Sequence, residues 1–179
     1  MENPQYLDNH NEYMALAIDL AKKGRGLVAP NPLVGCVIVK NGRVIGEGYH
    51  KEFGCDHAEV DALKNCTESP VGASLYVNLE PCSIYGKTPP CVKTIIENSI
   101  DTVCIGIKDP NPEINGSGIE QLRHAGIKVE TNILYDKCLE INKGFCKYNA
   151  SAFNSNPALV IHPFDEIRLS LNLSDKGKA

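Results

Sequence analysis

Residues 34–49 read VGCVIVKNGRVIGEGY. Two runs rich in β-branched residues flank Asn41-Gly42, and Asn-Gly is the dipeptide best suited to a two-residue turn in which both residues take positive φ. The segment is therefore expected to be an antiparallel hairpin, with 34–40 returning as 43–49. The rest of the chain does not continue as hairpins. Strand-like runs at 73–79 (ASLYVNL), 102–107 (TVCIGI) and 127–132 (IKVETN) alternate with helical patterns at 57–66, 91–98 and 119–124. Strand–helix–strand units bring strands in parallel. The expected fold is α/β, a mixed five-stranded sheet flanked by helices. One further helix (11–23) precedes the hairpin and one (133–147) follows the last strand. Ligands of such sheets sit at strand ends, where the loops meet.

With 179 residues, the chain fits one domain and can bury a core without disulfide staples. The net charge of −4 and the 6% aromatic content leave no basic, aromatic-laced stripe for nucleic acid. No apolar run approaches the ~20 residues of a membrane span. The first residues, MENPQYLDNHNEYM, form neither a secretory signal nor an Arg-rich transit peptide, so the cytoplasm is the expected compartment. There are eight cysteines. Cys36 and Cys104 lie inside apolar strand runs and read as core residues, where a free thiol behaves as a small hydrophobe. Cys82 and Cys91 stand among prolines and glycines instead.

Three segments point to chemistry: His57-Ala-Glu59, Pro81-Cys82 and Pro89-Pro90-Cys91. Each is expected at or just before the start of a helix. One imidazole and two thiolates give zinc three protein ligands and leave a fourth position for water, whose pKa falls to roughly 7. Helix N-termini favour thiolate over thiol. Glu59, two residues past His57, diverges from the ligand but reaches the water and any ring above it, as a proton shuttle must. H-x-E followed by P-C-x-x-C is a zinc-deaminase signature; here the second half is P-C-x8-C, with SIYGKTPP between the thiols. A structural zinc site or unrelated core cysteines are the plain alternatives.

The stretches APNPLVGCVIVKNGRVIGEGYH, HAEVDAL, YVNLEPCSIYGKTPPC and KDPNPEINGSGIEQLRHAGIKV resemble the deaminase domain of the bifunctional riboflavin-biosynthesis deaminase/reductases, over about residues 11–147. The resemblance implies a cytidine deaminase-like three-layer sandwich. It also implies hydrolytic removal of ammonia from 2,5-diamino-6-ribosylamino-4(3H)-pyrimidinone 5′-phosphate. Carried over, it puts Zn²⁺ on His57, Cys82 and Cys91, with Glu59 as proton shuttle. Asn31 would hold the pyrimidine ring and His50 would line the same pocket. Lys87, Thr88, Asp109 and Asn111 would hold the ribose phosphate. Lys87 supplies a point charge and Thr88 a hydroxyl at a helix start, while Asp109 and Asn111 follow a strand end. The plain alternatives are a turn for 109–112, a surface histidine for His50 and a solvated charge for Lys87. Two positions depart from the family: Ile84 stands where a histidine is usual, and Asp61 where one is frequent. Ile84 removes a polar group from the pocket. That leaves open a deaminase of the same fold acting on another heterocycle, a nucleobase, nucleoside or specialised metabolite. A non-catalytic partner subunit with structural zinc is a rival of another class.

Residues 1–150 are expected to form the deaminase domain, and 151–179 a linker (154–157) and a tail. Residues 167–179, IRLSLNLSDKGKA, echo the opening of the reductase domain that follows in bifunctional relatives. No nicotinamide-binding unit is expected within these 179 residues, so a separate reductase would take the product. An exposed strand in the tail could pair across a subunit boundary, and a homodimer or higher homo-oligomer is the expected state.

Overall fold

The computed structural model describes residues 4–85, 89–111 and 114–155. Helix α1 (Pro4–Lys22) leads into a hairpin of β1 (Gly35–Lys40) and β2 (Arg43–Tyr49). Then come α2 (Ala58–Lys64), β3 (Ser74–Leu79), α3 (Cys91–Glu97), β4 (Thr102–Ile107), α4 (Ser117–His124) and β5 (Lys128–Thr131). Two helices follow, α5 (Tyr135–Ile141) and α6 (Lys143–Ser155). The hairpin turn has the expected geometry, with φ of 51° at Asn41 and 74° at Gly42.

The strands form one sheet in the order β2-β1-β3-β4-β5. β1 runs antiparallel to both β2 and β3, whereas β3, β4 and β5 are mutually parallel. This is the mixed five-stranded sheet expected from the alternation of elements. Alternate strand residues build two cores. Cys36, Ile38, Leu75, Val77, Val103 and Ile105 pack beneath α2, α3 and α4. Val37, Val39, Tyr76 and Cys104 face α1 and α5. Cys36 and Cys104 are both fully buried, as core thiols should be. The result is a three-layer α/β/α sandwich. Close backbone approach sets α2 on the sheet: a Cβ at Gly48 would lie 2.2 Å from the Ala62 nitrogen. Glycine in β2 thus lets the helix carrying Glu59 sit directly on the hairpin.

The structure corrects three boundaries. α1 begins at Pro4 rather than near residue 11. Proline suits a first helical turn, and the polar residues after it offer no apolar periodicity to read. The helix expected over 133–147 is two helices, broken at Asn142. Its side chain is spent on a distant loop: Oδ1 accepts the Leu33 N–H (2.8 Å) and Nδ2 donates to the Leu33 carbonyl (2.9 Å). α6 then runs to Ser155, so Asn154 and Ser155, expected in the linker, are helical. The reductase-like tail lies outside the described residues. Among the described residues no helix is long and apolar enough to cross a membrane.

Candidate active site

The sheet's parallel strands end on the same side as the N-termini of α2 and α3. His57 is the N-cap of α2, in extended conformation, and Cys91 is the first residue of α3 after Pro90. Cys82 lies in the irregular segment that follows β3, not at a helix start as expected. Its nearest amide partner still comes from a helix terminus, since the Cys91 N–H donates to Cys82 Sγ at 3.3 Å. Nδ1 of His57 is 3.2 Å from Cys91 Sγ and 3.5 Å from Cys82 Sγ. The three ligand atoms lie within 4.8 Å of one another. Tetrahedral zinc with bonds of 2.0–2.3 Å sets its donors roughly 3.5 Å apart, so this donor set fits the ion in both chemistry and spacing.

The electrostatics point the same way. The Cys91 thiol and His57 together hold Cys82 as a thiolate, its pKa drawn down to about 4. The Cys82 thiolate in turn raises His57 to about 9. Cys91 is pushed up by Cys82 and by burial. One thiolate is thus held at a buried point beside an imidazole and a second thiol, donors that a dication would bind in their deprotonated forms. Glu59 stands beside it, only 3% exposed, and burial raises its carboxyl to about 7. A group poised near neutrality can both take and deliver a proton.

A pocket opens above this cluster. Asn31, His50, Glu59, Ile84, Asp109 and Asn111 are among its walls. His50 is 3% exposed, so it is not a surface histidine. Its Nδ1 lies 3.0 Å from the Asp56 carbonyl, which can only accept. Nε2 is therefore left as the acceptor for the Asn31 amide, Nδ2, at 3.0 Å. Burial lowers the pKa of His50, in keeping with that neutral form. The pair fixes which face Asn31 turns to the pocket. The Asn31 loop is anchored from below by Asn78, which accepts the Gly35 N–H and donates to the Leu33 carbonyl, and by Asn142 on the same carbonyl.

Asp109 and Asn111 make a local turn, the Asn111 N–H donating to Asp109 Oδ1 at 2.8 Å. Yet both are buried and both line the pocket, so the turn also serves as a pocket wall. Burial pushes the Asp109 carboxyl up to about 7. Lys87 and Thr88 lie outside the described residues. Asp61 points away from the pocket lining and pairs with Lys51 at 2.8 Å. Several wall residues were not legible as such in the sequence. Phe145 and Asn149, four apart on α6, close one side, and Glu80 sits behind Asp109. The tripeptide Glu80-Pro81-Cys82 was a visible signal, a carboxylate at the end of an apolar strand.

Residues 7–107 match the model of the cytidine and deoxycytidylate deaminase zinc-binding region. The chain is 48% identical over 141 residues to a diaminohydroxyphosphoribosylamino-pyrimidine deaminase of Buchnera aphidicola subsp. Acyrthosiphon pisum, covering 79% of this chain and 96% of that one. It is 50% identical over 137 residues to the riboflavin biosynthesis protein RibD of Actinobacillus pleuropneumoniae, covering 76% of this chain and 36% of that protein. This chain thus spans little more than a third of that relative's length. Among solved structures, the deaminase/reductase of Thermotoga maritima superposes with a TM-score of 0.79 at 45% identity, covering 82% of this chain and 42% of that one. Fold, metal-ligand cluster and sequence matches agree: the chain belongs to the cytidine deaminase-like zinc deaminases, in the diaminohydroxyphosphoribosylamino-pyrimidine deaminase branch.

Proposed function

We propose that this chain hydrolytically deaminates 2,5-diamino-6-ribosylamino-4(3H)-pyrimidinone 5′-phosphate to 5-amino-6-ribosylaminouracil phosphate, releasing ammonia in riboflavin biosynthesis. The observation that carries this reading is the Glu59 carboxylate buried beside the His57–Cys82–Cys91 cluster, under a pocket walled by Asn31 and Asp109. His57, Cys82 and Cys91 would hold the zinc, which would supply Lewis-acid chemistry when bound. Glu59 takes a proton from the attacking water and hands it to the ring nitrogen, then takes the proton of the newly attached hydroxyl, which becomes the carbonyl, and returns it to the departing amine. The exocyclic C–N bond breaks, a C–O bond forms at the same carbon, and nitrogen leaves as ammonia. Asn31, oriented by His50, holds the ring edge. Asp109 and Asn111 take the ribose hydroxyls, and Lys87 with Thr88 the phosphate.

Ile84 supports a second reading. It lines the pocket where relatives of this branch usually place a histidine, so the wall there is apolar. A different heterocycle of the same shape would suit such a wall. Ammonia release from the phosphorylated diaminopyrimidine, cytidine and guanine, measured side by side, separates the two. The proposal expects a preference of at least ~10²-fold in kcat/KM for the first, because polar groups built for one substrate are left unpaired by another. Equal or faster turnover of cytidine or guanine would move the assignment. Lys87→Ala should weaken the phosphorylated substrate far more than its dephosphorylated form, and equal loss would remove Lys87 from the phosphate site.

A further inference from the structure

The buried carboxylate of Glu80 has no part in the mechanism above, yet it is the most heavily bonded side chain near the pocket. Glu80 immediately follows β3, two residues before Cys82, and is 3% exposed. Its Oε2 accepts the N–H groups of Asp109 (3.1 Å) and Gly116 (2.9 Å). Its Oε1 accepts those of Gly118 (3.0 Å) and Ile119 (3.2 Å). One carboxylate thus satisfies four backbone donors that the chain between β4 and α4 would otherwise leave unpaired. Three of the four belong to the start of α4, whose own N-cap residue, Gly116, has no side chain to offer. The fourth belongs to Asp109, whose side chain holds the amide of Asn111. The fit is close, since a Cβ at Gly118 would fall 2.3 Å from the Pro81 carbonyl oxygen. A second stitch ties the same segments, the Ser83 and Ser117 hydroxyls lying 2.5 Å apart.

We infer that Glu80 is a positioning residue for substrate binding: it ties the segment that carries Cys82 to Asp109 and to the start of α4 at 116–119, and so sets the aim of Asp109 and Asn111 into the pocket. The inference rests on the proposed role of those two residues in holding the ribose phosphate. Substituting glutamine tests it sharply. A glutamine oxygen can take two of the four N–H groups, but its NH₂ then faces the other two, donor against donor. The loop has to move while the ligand cluster, reached through β3 and α3, stays where it is.

The experiment compares Glu80→Gln with the unaltered enzyme in three readouts: zinc content, steady-state kinetics on the phosphorylated diaminopyrimidine, and amide hydrogen exchange over 109–119. We expect unchanged zinc, a KM raised ~10-fold or more with kcat within a few-fold, as for loss of binding shared by ground and transition states, and faster exchange confined to 109–119. Exchange that stays at the unaltered rate in 109–119, or a kcat loss with KM unchanged, would overturn the inference. Should the glutamine variant not fold, Glu80→Asp, which keeps the charge but withdraws it by one methylene, is read in the same three ways. If the unaltered enzyme does not turn over this substrate, the functional proposal fails by itself, and hydrogen exchange still decides what Glu80 does to the loop.

Discussion

Among the described residues, two groups of three side chains, each with a histidine and at least one cysteine, lie within metal-ligand distance of each other. One is His57, Cys82 and Cys91, with Glu59 at its side; the other is His10, Cys104 and Glu130. Their donor types overlap, but their settings differ. The second group lies in mid-sheet on the α1 face. Tyr76, Cys104 and Glu130 are register neighbours across β3, β4 and β5, and His10 of α1 sits over them. Its polar atoms are engaged with one another: Tyr76 Oη is 3.0 Å from His10 Nδ1, and Lys128 Nζ is 2.7 Å from Glu130 Oε1. Burial and the nearby Glu130 charge push the Cys104 thiol up to about 12, so it stays protonated. Cys82 meets donors instead, the Cys91 thiol first and then an imidazole and an amide, and is held as thiolate. Donor identity therefore does not make a metal site. What distinguishes the first cluster is a thiolate, Cys82, held by neighbouring donors at the foot of a pocket.

The comparison is most open to attack at the first cluster. Purified protein should hold about one zinc per chain, the number one three-ligand site takes. Cys82→Ala or Cys91→Ala should lose both that zinc and all measurable ammonia release. Metal analysis showing full zinc in both variants would transfer the ion to the His10 group and reverse the assignment of the two clusters.

Glu59 separates binding from chemistry within the first cluster. Glu59→Gln should keep the zinc and the fold while lowering kcat by ~10²–10⁴-fold, the usual worth of general acid–base catalysis, and toward the upper end because the group is used more than once. Turnover near that of the unaltered enzyme would remove Glu59 from the proton path.

The smallest effect belongs to the second cluster. Cys104→Ala removes one methyl-sized group from a closed core, at a cost of about 0.5–1.5 kcal/mol. For a chain of this size the melting temperature should fall by ~2–4 °C per kcal/mol. Zinc content and kcat should not change. A loss of activity larger than the loss of stability would mean that this cluster communicates with the pocket.

Much of this layout was legible before any coordinates. Asn41-Gly42 dictates the hairpin because few other dipeptides take two positive φ values. The alternation of strand and helix runs brings β3, β4 and β5 parallel, and so gathers the loops after β3 and β4 on one side. His57, Cys82 and Cys91 could be nominated because they fall in H-x-E, P-C and P-P-C segments, outside the apolar strand runs that hold Cys36 and Cys104. Other features were out of reach. The break at Asn142 has no local signal; asparagine is tolerated in helices, and it ends one here only because Leu33, 109 positions earlier, supplies its partners. Phe145 and Asn149 show helical spacing, but spacing does not say which surface a helix turns to a pocket.

The sequence by itself determined the periodicities, the hairpin turn and the chemical types available, because these are properties of neighbours along the chain. It showed that an imidazole and two thiols suited to zinc were present, with a carboxylate two residues from the histidine. Only the tertiary structure decided which carboxylate does what. Glu59 and Glu80 are equally acidic in sequence, and Glu130 lies in a strand as ordinary as any. Packing set Glu59 beside Cys82 and Cys91, gave Glu80 four backbone donors and paired Glu130 with a lysine. A carboxylate's role follows from the groups that surround it in space, and those groups come from elements far apart along the chain.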